Sequence, residues 1–195
     1  MPDNAHIKRL LDQIALQDSK AAYKELFLLL YKQLCQFAYG ILKSHNDAEE
    51  VVSDTFAFVW EKREKLTNIE SPLSYLYTSI KNRSLNRIER QKRQRALDTG
   101  EWIVPLNSVY FDPEKLLMTE ELIQKIRKAI EELPVRCQLI FKLVKEDGLK
   151  YKEVADLLQI SVKTVETQMA IAIRRLGKCM YLDITAHQGQ KTPKK

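Results

Sequence analysis

YKEVADLLQISVKTVETQMAIAIRRL, residues Tyr151–Leu176, is the stretch on which the reading of this chain turns. Apolar residues recur at helical spacing on both sides of Gln159-Ile160, so two helices joined by a tight turn are expected. Ala155 is small where the helices would cross closely, Leu158 and Ile160 bracket the turn, and Val165 packs back. Ser161 is placed to cap the second helix, whose first turn then carries Lys163, Thr164, Glu166, Thr167 and Gln168 outward. This is a helix-turn-helix, a motif whose second helix lies in the major groove with its N-terminal residues at base edges. Gln pairs with adenine, Thr makes polar or methyl contacts, and Glu accepts from cytosine. Arg174, Arg175 and Lys178 lie further along and suit phosphates, which add affinity and salt dependence rather than sequence reading. An ordinary helical hairpin would share the periodicity without needing the polar first turn and basic flank. Lys150 stands where a capping Ser or Thr is usual, a loss of up to ~1 kcal/mol.

Within this last block the spacing predicts a final helix from Val162 to about Leu182, burying Val165, Met169, Ala172, Ile173, Leu176 and Met180. Towards the N-terminus, Leu133-Pro134 breaks the chain and Pro134–Glu146 reads as a helix with Leu139, Ile140, Leu143 and Val144 inside. Gly148 fits a left-handed C-terminal position. Asp112-Pro113 restarts helix, with Leu116, Leu117, Glu120, Ile123, Ile126, Ile130 and Leu133 spaced for a mostly buried face. Residues 96–111 lack a period and read as a linker.

Before the linker, Ser71-Pro72 supplies an N-cap and a first-turn proline. The helix they open buries Leu73, Leu76, Ile80 and Ile88 and runs into Arg83, Arg87, Arg90, Lys92, Arg93 and Arg95. From Lys81 to Arg95 there are seven basic residues and one acid, with Tyr75, Tyr77 and Asn82 before or among them. Aromatic rings for stacking beside cations for phosphates are what single-stranded nucleic acid needs; a solvated basic helix end is the plainer alternative. Lys65–Glu70 reads as a polar loop. Asn46 and Glu49 make a capping-box-like start to a helix whose apolar stripe is Ala48, Val51, Val52, Thr55, Phe56, Val59 and Trp60. Its other face carries Asp47, Glu50, Ser53, Asp54 and Glu61, a solvated surface or a docking face. A preceding helix to about Lys43, capped by Asp18 or Ser19, buries Leu26, Leu30, Leu34, Phe37, Ala38, Ile41 and Leu42, and His6–Leu16 is a short helix before it.

Net charge is +6, but unevenly spread: +4 over residues 1–95, −4 over 96–133 and +6 over 134–195. Two basic blocks suit a phosphate partner. The odd count of three cysteines, Cys35, Cys137 and Cys179, widely spaced and without CxxC, points to buried free thiols rather than disulfides or zinc. Three scattered histidines form no acid–base or ligand cluster, so neither an enzyme nor a metal site is expected. The start has no signal-peptide pattern and no run nears the ~18 apolar residues of a membrane span, which makes a cytoplasmic location the expectation.

AEEVVSDTFAFVW (Ala48–Trp60), then SPLSYLYTSIKNRSLNRIER (Ser71–Arg90), then Leu133-Pro134 and the terminal helix-turn-helix, resembles in order and spacing the extracytoplasmic-function sigma factors, the compact branch of the sigma-70 family. The likeness runs from about Tyr23 to Leu182; SVKTVE and the long helix before Leu133-Pro134 are similar to the branch abundant in Bacteroidetes. The resemblance implies an all-α chain of two small helical domains: region 2 over residues 1–95, an irregular acidic linker over 96–113 that threads the polymerase's nucleic-acid channel, and region 4 over 114–195. It implies an initiation factor that binds the largest-subunit clamp and the flap of core RNA polymerase together with promoter DNA. No cofactor, metal or small-molecule substrate is implied. By that resemblance Glu50, Ser53 and Asp54 meet the polymerase; Tyr75, Asn82, Arg83, Arg87 and Arg90 meet the −10 element; and Lys163, Thr164, Glu166, Thr167, Gln168, Arg174 and Arg175 meet the −35 element. Tyr75 stands where many members have tryptophan. An anti-sigma factor, often membrane-bound, is a further implied partner. A dimeric helix-turn-helix regulator that needs no polymerase is the rival reading; it would require neither the acidic helix face nor the linker.

Overall fold

A computed structural model describes residues 4–67, 69–94 and 120–188, and every regular element in them is a helix. The chain divides into two compact units. The first holds α1 (Asn4–Gln17), α2 (Lys20–Leu42), α3 (His45–Glu61), a 3-10 turn (Arg63–Leu66) and α4 (Pro72–Gln94). The second holds α5 (Glu120–Glu131), α6 (Val135–Lys145), α7 (Tyr151–Leu158) and α8 (Val162–Gln188). The linker expected over 96–113 and the helix restart at Asp112-Pro113 lie outside the described residues.

In the first unit α2 is the hub, packed on α1, α3 and α4. Its Leu26, Leu30, Leu34 and Ala38 are wholly buried and recur every four residues, the stripe a helix needs to serve as a core axis. Ser19 is its N-cap, accepting from the Ala22 N–H, while Asp18 takes a left-handed turn with φ 51°. At the other end Lys43 is left-handed, with φ 58°, and closes the helix by donating to Tyr39 O at 2.9 Å. That turn leaves Ser44 extended, and its hydroxyl accepts from Asp47 N at 3.3 Å. The cap of α3 is therefore Ser44 rather than the expected Asn46, because the left-handed residue before it sets the backbone two residues earlier. Aromatic edges join α2 to its neighbours: Phe27 meets Phe56 of α3 at 4.9 Å, and Phe37 meets Tyr77 of α4 at 4.9 Å. The loop expected over 65–70 begins instead as the 3-10 turn, anchored by buried Leu66. Arg63 locks that turn, donating to Trp60 O at 2.9 Å and pairing with Asp18.

In the second unit α8 is the hub, against α5, α6 and α7. Ile126, Ile130, Leu133, Cys137 and Ala172 form one buried cluster, with Phe141, Ile171 and Leu176 packed on it. Ile173, expected inside, is 52% exposed. The buried arc of α8 turns towards the α5–α6 cluster that Ile171 touches, and Ile173 falls beyond its edge. Met180, the last expected core position, lies outside the described side chains. Side chains bond the carbonyls at the end of α5: Gln138 donates to Glu131 O at 2.6 Å and Leu133 O at 3.0 Å, and Arg175 donates to Glu132 O at 3.0 Å. Cys137 is a buried free thiol that burial pushes up in pKa, donating to Gln168 O at 3.2 Å; Cys35 is free and half-buried.

Truncating a hub contact should cost far more than truncating the exposed isoleucine. Leu34→Ala and Ile130→Ala are each expected to lower unfolding free energy by about 2–5 kcal/mol, and Ile173→Ala by about 0.5 kcal/mol or less. Urea unfolding curves of the three variants check this.

Candidate nucleic-acid interface

The helix-turn-helix forms as the sequence requires. Val154, Ala155 and Leu157 of α7 are buried against α8, whose Val165 is wholly buried. Leu158 and Ile160 are half-buried, so Leu157 rather than Leu158 is the deeper anchor of the turn. Gln159 makes the turn in the left-handed region with φ 54°, and Ile160 N donates back to Ala155 O at 3.0 Å. Gly148, with φ 82°, takes the left-handed backbone expected of it. Lys150 offers no acceptor to cap α7, but its own N–H donates to the Glu153 carboxylate at 2.8 Å, so half of a capping box survives.

Ser161 caps α8: its hydroxyl accepts from Thr164 N at 3.0 Å and meets Thr164 Oγ1 at 2.8 Å. Behind this fixed start Lys163, Glu166 and Thr167 are exposed, and Thr164 and Gln168 are half-buried. Lys163 and Glu166 pair across one turn at 3.2 Å, and Thr167 Oγ1 donates to Lys163 O at 2.9 Å. Arg174 is exposed. Arg175, though exposed, already spends one N–H on the end of α5. Val162, at the first position of α8 and 39% exposed, was not singled out from sequence; an apolar side chain there has the chemistry to meet a thymine methyl.

In α4 the structure sorts the residues grouped together by sequence. Asn82 and Arg90 are exposed and Tyr75 is half-buried. Asn86, one turn from each of Asn82 and Arg90, is exposed too; its only sequence signal was the four-residue spacing. Tyr77 is wholly buried against Phe37, which removes it as a stacking platform. Arg83 and Arg87 turn the other way, onto α3. Arg83 lies 5.1 Å from the Phe58 ring centroid. Arg87 Nη2 is 2.6 Å from Asp47 Oδ1 and 2.7 Å from Glu50 Oε2.

On α3 Glu50, Ser53 and Asp54 are all exposed, as a docking face requires. Glu50 is shared with Arg87, whose hydrogen bond holds its carboxyl below the usual range. Burial pushes the Asp47 carboxyl up, but hydrogen bonds from Gln91, Arg87 and Ser44 outweigh it and leave it below the ordinary 3.8. The Glu50 hydrogen bond, then those of Asp47, hold the Arg87 guanidinium more firmly protonated than usual. Among the described residues no group of His, Cys, Asp and Glu is placed to hold a metal, and no helix is long and apolar enough to cross a membrane.

Comparison with known proteins agrees with this layout. Residues 26–94 match the family model "Sigma-70 region 2", and residues 123–176 match "Sigma-70, region 4". The chain is similar to the ECF RNA polymerase sigma factor SigK of Mycolicibacterium vanbaalenii, 26% identical over 187 residues covering 90% of each chain. It is also similar to the ECF sigma factor SigW of Bacillus subtilis, 23% identical over 84% of this chain and 90% of that one. Among solved structures it is similar to the sigma factor RpoE in complex with the anti-sigma factor NepR from Bartonella quintana, with TM-score 0.50, 22% identity, and 83% and 98% of the two chains covered. CnrH in complex with the cytosolic domain of CnrY gives TM-score 0.50 and 19% identity over 91% and 99%.

Two local contacts give measurable consequences. Removing the cap by Ser161→Ala should cost about 1 kcal/mol of stability. The Asp47 pKa is lowered on folding, so its contribution is complete above the unfolded value and disappears as pH falls through the folded one. Asp47→Asn is accordingly expected to lose about 1 kcal/mol or less near pH 7, because the pair is partly exposed. The difference from wild type should close in acid, once the pH has fallen through the folded-state pKa. Urea midpoints at neutral and acid pH read both effects.

Proposed function

The chain belongs to the sigma-70 family, in its extracytoplasmic-function group, and directs RNA polymerase to promoters; from that premise we propose how its residues divide the work. The first unit is the region-2 domain. The exposed acidic face of α3, with Glu50, Ser53 and Asp54, docks on the clamp of the largest polymerase subunit. The exposed row of α4, with Asn82, Asn86 and Arg90, faces the opened −10 strand, and the half-buried Tyr75 takes a stacked base. The second unit is the region-4 domain, seated by the polymerase flap. Lys163, Thr164, Glu166, Thr167 and Gln168 read the −35 element from a start fixed by Ser161, while Arg174 neutralises a phosphate. Arg175 divides its donors between the end of α5 and the same backbone.

The observation that carries this reading is that each unit presents one polar, exposed helix row on a helix whose opposite side is core. Each row alone makes a modest contact. Joined through one chain on one polymerase, the second contact becomes intramolecular and selectivity multiplies without new bonds. Catalysis of covalent chemistry is not part of this role, and the site of action is the cytoplasm, where polymerase and DNA are. RpoE is seen with the anti-sigma factor NepR, and CnrH with the cytosolic domain of CnrY, which supports an anti-sigma factor for this chain as well, covering the α3 and α4 faces until a signal removes it.

Run-off transcription with core polymerase and a genomic fragment library tests the reading. Discrete start sites are expected only when protein and core are both present. Tight binding to a palindrome without core, and no transcription with it, would establish the dimeric regulator instead. On a promoter so identified, Asn82→Ala should lower open-complex formation by about 1–3 kcal/mol, and Gln168→Ala should relax preference at one −35 position by a similar amount. Arg174→Gln should weaken −35 binding across sequences and reduce the salt slope by about 0.9.

A further inference from the structure

Along α4 two rows diverge. Residues 82, 86 and 90 point to solvent. Residues 83, 87 and 91 point to α3, and each has a partner there. Arg83 covers Phe58, Arg87 pairs with Asp47 and Glu50, and Gln91 Nε2 donates to Asp47 Oδ2 at 3.3 Å. The partners run from 58 back to 47 as α4 advances, so the helices are antiparallel and the row spans about two turns of α4.

Within this row Arg87 is the one cation with two carboxylates. Its side chain is 28% exposed and its Nε is buried, so the guanidinium lies sunk in the seam rather than extended from it. Asp47 lies in the first turn of α3, where the helix dipole favours negative charge. A guanidinium that left this site for a DNA phosphate would strand two acids beside the departing strand. A phosphate approaching the seam meets those same acids.

We propose that Arg87 is a positioning residue for promoter opening: it pins the strand-holding helix α4 to the polymerase-docking helix α3 through Asp47 and Glu50, and does not itself contact DNA. This rests on the assignment of α3 to polymerase and α4 to the −10 strand. Docking of α3 then fixes where the 82–86–90 row stands relative to the polymerase cleft. A looser seam lets that row wander while polymerase still binds.

The test uses holoenzyme with Arg87→Gln, Asp47→Asn, the double variant and Arg87→Lys. It reads permanganate reactivity of −10 thymines for opening, the salt dependence of opening, core affinity by competition, and thermal unfolding of the free proteins. A phosphate contact and a positioning contact give opposite signs for Asp47→Asn: removing an acid helps the first and harms the second. Arg87→Gln is expected to reduce opening by about fivefold and Asp47→Asn by less, because Glu50 still holds Arg87, with the double variant no worse than Arg87→Gln, as for coupled groups. Core affinity and salt slope should stay near wild type, and Arg87→Lys should recover part of the loss. The proposal is overturned if Arg87→Gln lowers the salt slope by about 0.7 while Asp47→Asn opens as well as or better than wild type. It is also overturned if neither variant affects opening, or if opening falls only in proportion to core affinity and thermal stability, as a purely structural bond would require. A wild-type holoenzyme that opens no promoter would instead fail the parent reading; that outcome is separate because it needs no variant.

Discussion

The α3–α4 seam is the contact on which the first unit's proposed use depends, because we assign the polymerase face to one helix and the nucleic-acid face to the next. Apolar burial against α2 brings the two helices together, through Phe56 on one and Tyr77 on the other. Burial is non-directional, however, and tolerates rotation and sliding. The row of Arg83, Arg87 and Gln91 on α3 supplies what burial lacks: fixed distances between named atoms over about two turns. The charges in it are partly exposed, so their contribution to overall stability is small. Their effect is on register and angle, and therefore on where the exposed row of α4 is held.

The second unit meets the same constraint with one helix. α8 is the hub of its core and, on the proposed assignment, also the helix that reads the groove. Val165, Met169 and Ala172 are buried while Lys163, Glu166 and Thr167, interleaved with them, are exposed. Its start cannot slide, since the Ser161 hydroxyl holds Thr164 and the left-handed Gln159 fixes the preceding turn. Arg175 links the reading helix to the end of α5, so a residue suited to phosphate also closes a helix terminus. In both units, exposed function is positioned by polar contacts that add little to stability and much to geometry.

Features decided by local chemistry were legible in the sequence. The four-residue stripe of α2, the proline that starts α4, the Ser19 and Ser161 caps and the left-handed Gly148 each depend on a few neighbouring residues. Features decided by another helix were not. Arg83, Arg87 and Arg90 look alike in a basic run, and only the position of α3 sends the first two inward and leaves the third out. Tyr77 reads as a stacking ring until Phe37 is seen to bury it. Ile173 satisfies the helical period but loses its place to Ile171 because the α5–α6 cluster lies to that side. Ser44 replaces Asn46 as a cap because the left-handed Lys43 precedes it. The acidic faces and basic rows were visible as composition; which charges were already paired with each other was not.

The central claim is that α4 has a structural row and a DNA row one residue apart. The most direct measurement places a photo-crosslinking side chain singly at positions 82, 86, 90, 83, 87 and 91 and maps adducts to the non-template strand of an open complex with core polymerase. Adducts are predicted at 82, 86 and 90, with 83, 87 and 91 silent towards DNA. Strong adducts from 87 with none from 82 and 86 would contradict the account.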